Sequence, residues 1–351
     1  MPVEVIGVGA SLKDVAARAG VSVKTVSNVV NGRARVAPHT REKVERALAE
    51  LAYRPNLSAR HLRRGRTGVI ALALPGLDAP YSAELARLVI GAAAERGWAV
   101  LIEQTDGLAD RELRVLQGLR ERLVDGLVLS PVSVGREELA ARTDGTPLVL
   151  LGERVLDGPV HHVDIDNRRA AREATEHLIS LGRTRVGVIG ARDDPRAGTA
   201  RLRLAGYRQA LEAAGLPRDE RLAPPVRSCR RADGAEAMRR LLELDEPPRA
   251  VLCFDDLLAL GALRVLLSAG LRVPEDVALA GFGDIEDGRY STPTLTTVSP
   301  DKDRIARAAV ELLAACIGGT GRAGREDGGA AGGRDVEAGH RLVVRESTAG
   351  A

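Results

Sequence analysis

Aromatic side chains are nearly missing from this 351-residue chain: Phe, Trp and Tyr together make up 2 % of it. Any core must therefore be assembled from Leu, Val, Ile and Ala, within a hydrophobic content of 44 %. Lysine is also scarce, with 4 Lys against 47 Arg, the usage of a GC-rich genome. The three cysteines, Cys229, Cys253 and Cys316, are widely spaced and lack CxxC or histidine companions. That excludes a disulfide framework and is expected of buried thiols in a reducing compartment. No apolar run approaches the roughly 18 to 20 residues of a membrane helix. Met1 to Ala10 carries no basic region or cleavage site for export, so a cytoplasmic location without a membrane partner is expected.

What is present is length for two or three domains and a divided charge. Residues 1–66 hold 13 Lys and Arg against 5 Asp and Glu, a net of +8. The remaining residues hold 38 against 43, a net of −5. A basic head on an acidic body suits a polyanion-binding module joined to a separate globular domain.

The head has the pattern of folded helices. Ser11 and Asp14 form a capping box for a helix running to about Ala19, which Gly20 ends. Ser22 caps a second helix with Val26, Val29 and Val30 on one face. A third helix follows Pro38 and packs through Val44, Leu48 and Leu51. Two short helices joined by a tight glycine-containing turn, with a third behind them, make a helix-turn-helix. Its second helix would enter the major groove. There Lys24 can donate to guanine, Asn28 can pair with adenine, and Val23 can touch a thymine methyl.

The segments DVAARAGVS, TVSNVVNG, TREKV and YRPN within residues 12–66 resemble the headpiece and hinge of the lactose-repressor (LacI/GalR) family. The resemblance implies base reading by Val23, Lys24 and Asn28. Ser11, Lys13, Ser22, Thr25, Ser27, Asn31, Tyr53 and Asn56 complete the expected DNA-facing set. Asn28 departs from the basic residue common in the family, so a different operator is expected. Asn56 to Arg63 would form a hinge helix only on the operator, with Ala59 on its close-packed face and Leu62 as a minor-groove wedge. Unstacking a base step costs a few kcal/mol, offset by the contacts that a bend admits.

From Gly68 onward, apolar β runs alternate with amphipathic helices. Strands are expected at Val69–Leu74, Ala99–Glu103, Gly126–Ser130, Leu148–Leu151, Arg185–Ile189, Ala250–Phe254, Val277–Gly281 and Arg341–Arg345. Helices fall near 82–96, 109–122, 168–181, 201–214, 231–243 and 256–269. Continuous apolar strands in βαβ order indicate parallel sheets covered on both faces. The stretches ARLRLAGYRQAL, LCFDDLLALGALRVLLSAGLRVPEDVALAGFGD and STPTLTTV also resemble that family, in its periplasmic-binding-protein-like part. The expected fold is an all-α helix-turn-helix headpiece plus an α/β two-lobed body with two parallel-sheet, Rossmann-like lobes. The expected boundaries are a disordered leader at 1–10, the headpiece at 11–55, the hinge at 56–66 and the body at 67–351. Within the body, the N-lobe takes about 67–165 and 298–317, and the C-lobe about 166–297 and 339–348. Gly318–Ala338, rich in glycine, is expected to be a disordered surface loop.

Ligands of such a body bind where strand C-termini and loops converge. The resemblance places Arg203 and Asp255 on a small-molecule effector, with Ala79, Pro80 and Tyr81 at the N-lobe lip. Gly152 and Glu153 follow the fourth strand, and Phe254 can stack on a sugar face or fill the core. Two departures stand out. Gly283 occupies the position of a ligand-contacting Asp, and Gly152 the position of another. Glu153 and Asp284 are the acids left to compensate. The effector, expected to be a carbohydrate, is not identified by these residues, and no cofactor or catalytic residue is expected. No leucine heptad follows the last strand, so a homodimer on a two-fold operator is expected.

Rival readings are weaker. Gly7–Ser11 and Gly187–Ala191 complete neither a dinucleotide fingerprint nor a P-loop. His161 and His162 lack ligands at metal spacing. A solute-binding protein shares the body but not the basic head, and an effector acting as co-repressor remains an alternative sign. For the hinge, Leu62→Ala should weaken specific operator binding far more than nonspecific binding in gel-shift titrations. Equal losses would remove the wedge role.

Overall fold

The computed structural model describes residues 10–30, 36–53, 66–118, 124–152, 160–192, 198–319 and 333–349. The chain divides into two compact units, Met1–Arg66 and Thr67–Ala351.

The first unit is three helices: α1 (Leu12–Ala19), α2 (Val23–Val30) and α3 (Pro38–Glu50). Asp14 N–H donates to Ser11 Oγ at 3.3 Å while Ser11 N–H donates to Asp14 Oδ2 at 2.7 Å, closing the capping box. Gly20, at φ 66°, ends α1. Thr25 N–H donates to Ser22 Oγ at 3.1 Å at the start of α2. Val15, Ala16, Val26, Val29, Val44 and Ala47 are buried together, so three short amphipathic faces share one small core. The Arg18–Glu50 ion pair at 2.5 Å ties α1 to α3. The expected hinge residues Asn56, Ala59 and Leu62 lie outside the described residues, as do Asn31 and Glu153.

The second unit holds two sheets. The N-lobe sheet runs β10-β5-β4-β3-β1-β2, with β1 (Val69–Leu74), β2 (Ala99–Gln104), β3 (Gly126–Leu129), β4 (Leu148–Leu151), β5 (His161–Ile165) and β10 (Asp335–Ala338), every pairing parallel. The C-lobe sheet runs β11-β9-β8-β7-β6, with β6 (Val186–Ile189), β7 (Ala250–Cys253), β8 (Ala278–Phe282), β9 (Thr296–Pro300) and β11 (His340–Val343). Only the β11–β9 pair in it is antiparallel. Strands such as VIALAL (β1) are buried because helices cover both faces. Those helices include α4 (Pro80–Ala94), α5 (Ala109–Leu116), α6 (Arg136–Ala140), α7 (Asn167–Ser180), α8 (Gly198–Ala213), α9 (Arg231–Leu242) and α10 (Asp256–Ser268). Three more follow: α11 (Glu286–Arg289), α12 (Lys302–Gly318) and α13 (Glu346–Ala349).

Three sequence expectations are corrected. β5 and β9 had no place among the expected strands, because both carry polar residues at buried positions. Thr296 and Thr297 are fully buried in β9. They are satisfied by Ser347 Oγ, at 2.8 Å from Thr296 N, and by Asp256 Oδ1, at 2.7 Å from Thr297 Oγ1. The lobe boundary expected at 298 moves to Asp301, since β9 stays in the C-lobe sheet to Pro300, where it pairs with His340. Finally, Gly318–Ala338 is not a loop throughout: Asp335–Ala338 is a strand parallel to β5, with Ala338 buried.

Helix pairs α7–α8 and α9–α10 approach at glycine. A Cβ on Gly206 would lie 2.0 Å from the Arg168 carbonyl oxygen, and one on Gly261 would lie 1.9 Å from that of Arg231. Gly→Ala inside a helix normally gains up to about 1 kcal/mol. At Gly261 the helices must separate, so Gly261→Ala should instead cost about 1–3 kcal/mol in urea unfolding. Gly91→Ala on α4, where a Cβ meets nothing within 4 Å, should not destabilise.

Candidate functional site

On the head, burial of Val26 and Val29 turns the opposite side of α2 outward. Ser22, Val23 and Lys24 are exposed, while Thr25, Ser27 and Asn28 are half-buried. Val23 is 38 % exposed, high for an isolated valine on a helix whose apolar face is already covered. Lys24 and Asn28 lie one turn apart, so both side chains can reach the same stretch of groove edge. Two expected contacts have structural duties as well. The Ser11 hydroxyl is held by Asp14 Oδ2 at 2.7 Å, and Tyr53 packs against the headpiece core. Lys13 is exposed on α1.

In the body, the residues that converge are those at strand ends and at the first chain crossing between lobes. Arg203, on α8, donates from Nε to Asn167 Oδ1 at 2.9 Å and from a terminal nitrogen to the Phe254 carbonyl. Its guanidinium lies 3.5 Å from the centroid of the Phe282 ring. Asn167 donates to Asp164 Oδ2 at 2.5 Å, so Asp164 orients the amide that orients the arginine. Burial lowers the Arg203 pKa, against the charges of Asp164 and Asp255, which favour the cation. Burial raises the Tyr81 phenol, with the Asp164 charge adding to it. Tyr81 and Arg203 thus share one electrostatic environment although they belong to different lobes.

Asp255 is the N-cap of α10, its Oδ1 accepting from Leu257 N–H at 2.7 Å. Burial pushes its carboxyl up to about 7 despite that bond, and the neighbouring Asp256 adds to the rise. Cys229 is exposed, so the expectation of buried thiols holds for Cys253 and not for Cys229.

Other expected residues have different roles. Ala79 and Pro80 form the N-cap and first turn of α4, which presents Tyr81. Phe254 is 3 % exposed and belongs to the core, so it supplies a carbonyl to the cleft and not a stacking face. Phe282 is also in the core, its ring lying under the Arg203 guanidinium. Gly152 has φ 79° and Gly283 φ 130°, values that a side chain makes costly. Asp284 does not compensate. Its carboxylate is taken by Arg345 at 2.6 Å, Ser299 at 2.9 Å and Arg289 at 3.1 Å.

Sequence reasoning missed Asp164, Asn167 and Phe282. The cluster Asp164-Ile165-Asp166-Asn167 was the available signal, since polar side chains at and directly after a strand end suit a cleft floor.

Comparison with known proteins places both units. Residues 175–348 match the periplasmic binding protein-like domain, and residues 11–56 match the bacterial regulatory proteins of the lacI family. The ribose operon repressor of Escherichia coli (strain K12) is 35 % identical over 308 residues, 87 % of this chain and 92 % of that protein. The lac repressor dimer bound to operator and the anti-inducer ONPF superposes with a TM-score of 0.82 at 26 % identity, covering 97 % of this chain and 99 % of that one. A transcriptional regulator CelR–cellobiose complex gives 0.69 at 34 % identity, covering 96 % and 99 %. Among the described residues, no helix is long and apolar enough to cross a membrane.

The raised Asp255 pKa makes stability pH-dependent. An unfolded aspartate releases its proton near 3.9, whereas the folded one holds it to about 7. Its contribution is therefore complete below about pH 4 and is lost as pH rises to 7. Asp255→Asn keeps the cap acceptor and removes the titration. It should melt a few degrees above the parent at pH 8, with the gap closing by pH 4.

Proposed function

Because this chain belongs to the LacI family of bacterial regulatory proteins, we propose that it represses transcription as a dimer on a two-fold DNA operator and responds to a neutral carbohydrate. The observation that carries this is the pairing, in one chain, of an outward edge of exposed Val23 and Lys24 and half-buried Asn28 with a cleft built on Arg203. The headpiece has the fold and charge for the major groove, and half-sites one helical turn apart suit two copies. The cleft has the chemistry for hydroxyl groups: a guanidinium donor, carboxylate acceptors in Asp164 and Asp255, and the Phe282 ring beneath. In solved relatives, the occupants named are cellobiose in the regulator CelR and ONPF in the lac repressor.

An effector acts by preferring one lobe arrangement over the other, and it shifts operator affinity only by that difference. Release on binding is the proposed sign. The Asn56–Arg63 segment and the Leu62 wedge, carried over from the family resemblance, would transmit it to the headpieces. Members of this family are regulators and not enzymes, and none of the proposed roles calls for a catalytic residue or a cofactor.

The test begins with selection of operator DNA by the full-length protein, followed by titration with D-ribose, D-glucose and cellobiose. Asn28→Ala should relax preference at one position per half-site by about 1–3 kcal/mol. An unchanged selected sequence would contradict base reading. Arg203→Ala should hold the operator normally while losing the sugar response, and a variant that still responds would remove Arg203 from the effector site.

A further inference from the structure

We propose that Lys302, paired with Glu84, is the joint that holds the two lobes in register, a positioning residue for the closure of the effector cleft. Among the described residues the chain passes between lobes at three places: from β5 to α7, from β9 to α12 and from β10 to β11. Lys302 is the first residue of α12, one residue beyond the point where the chain leaves the C-lobe sheet. Its side chain is only 9 % exposed. A cation there is doubly disfavoured, by desolvation and by the positive end of the helix. Hydrophobic packing would serve stability better, so the charge points to another role.

Its partners come from both lobes. Nζ donates to Glu84 of α4 in the N-lobe and, at 3.1 Å, to the carbonyl of Asp284 at the end of β8 in the C-lobe. It also lies 5.2 Å from the centroid of the Tyr81 ring. Asp284 is itself fixed to the C-lobe by Arg345, Arg289 and Ser299. Moving one lobe against the other must therefore lengthen at least one bond to Lys302. Tyr81 connects this joint to the cleft. A Cβ on Gly283 would sit 3.6 Å from Tyr81 Cδ2, and Tyr81 shares its electrostatic environment with Arg203. The β10 to β11 crossing is tied in through the backbone, since Asp301 N–H donates to the Gly339 carbonyl at 2.9 Å. A buried ionic joint of this kind has two discrete arrangements, made and broken, which is what a switch between open and closed lobes needs.

The role of the joint in closure rests on the effector reading of the cleft, but its test contains no effector. Amide hydrogen exchange would be followed in the full-length protein, its Lys302→Met, Glu84→Gln and Lys302→Arg variants. The amides of Arg169, Ala170 and Asp301, which are bonded at the crossings, should exchange roughly fivefold or more faster in Lys302→Met and Glu84→Gln. Central-strand amides such as Leu72 and Leu252 should be unchanged, and Lys302→Arg should stay near the parent. Faster exchange confined to the first turn of α12, or none, would overturn the proposal. If Lys302→Met does not fold, Glu84→Gln, which alters a side chain 30 % exposed, decides the matter alone. Failure would leave the effector reading standing, because that depends on the Arg203 response.

Discussion

The half-buried guanidinium of Arg203 is the constraint around which the cleft is organised. A cation held among strand ends is tolerable only when its donors are satisfied and carboxylates stand near it. The Asn167 amide, the Phe254 carbonyl and the Phe282 face meet the first need, and Asp164 and Asp255 the second. Each of these groups lies at or just beyond the end of a strand. The parallel sheets are thus what bring them together, on a floor that is already polarised.

The same economy governs the space between the lobes. Lys302 pairs with Glu84 across the lobes, and beside it Arg345 and Arg289 hold Asp284 within the C-lobe. Buried polar side chains extend this to the C-terminal segment, where Ser347 and Thr348 bond to β8 and β9. Such networks contribute less to stability than apolar packing of the same volume, and they fix one geometry more strictly.

The headpiece was legible residue by residue. Its caps, its glycine stop and the 3.6-residue spacing of Val26, Val29 and Val30 are local signals, and local interactions form them. The body was legible where strands are continuous apolar runs, as in Val69–Leu74 and Leu148–Leu151. It was not legible in β5, β9 and β10. Their buried or paired positions are filled by His, Asp and Thr, which no periodicity scan assigns to a sheet. The cleft was half legible: Arg203, Asp255 and Tyr81 stood out, the core alternative held for Phe254, and the Asp284 carboxylate is engaged by Arg345, Arg289 and Ser299.

The sequence by itself determined the head, the alternating α/β body, the basic and acidic halves and the family, because these depend on short-range pattern and composition. Only the tertiary structure decided which acids face the cleft and where the chain crosses between lobes. Asp284 and Asp255 look alike in sequence, each following an apolar strand. One is consumed by Arg345, distant in the chain, and the other caps a helix beside Arg203. That difference is set by long-range electrostatics and hydrogen bonding, which local pattern does not encode.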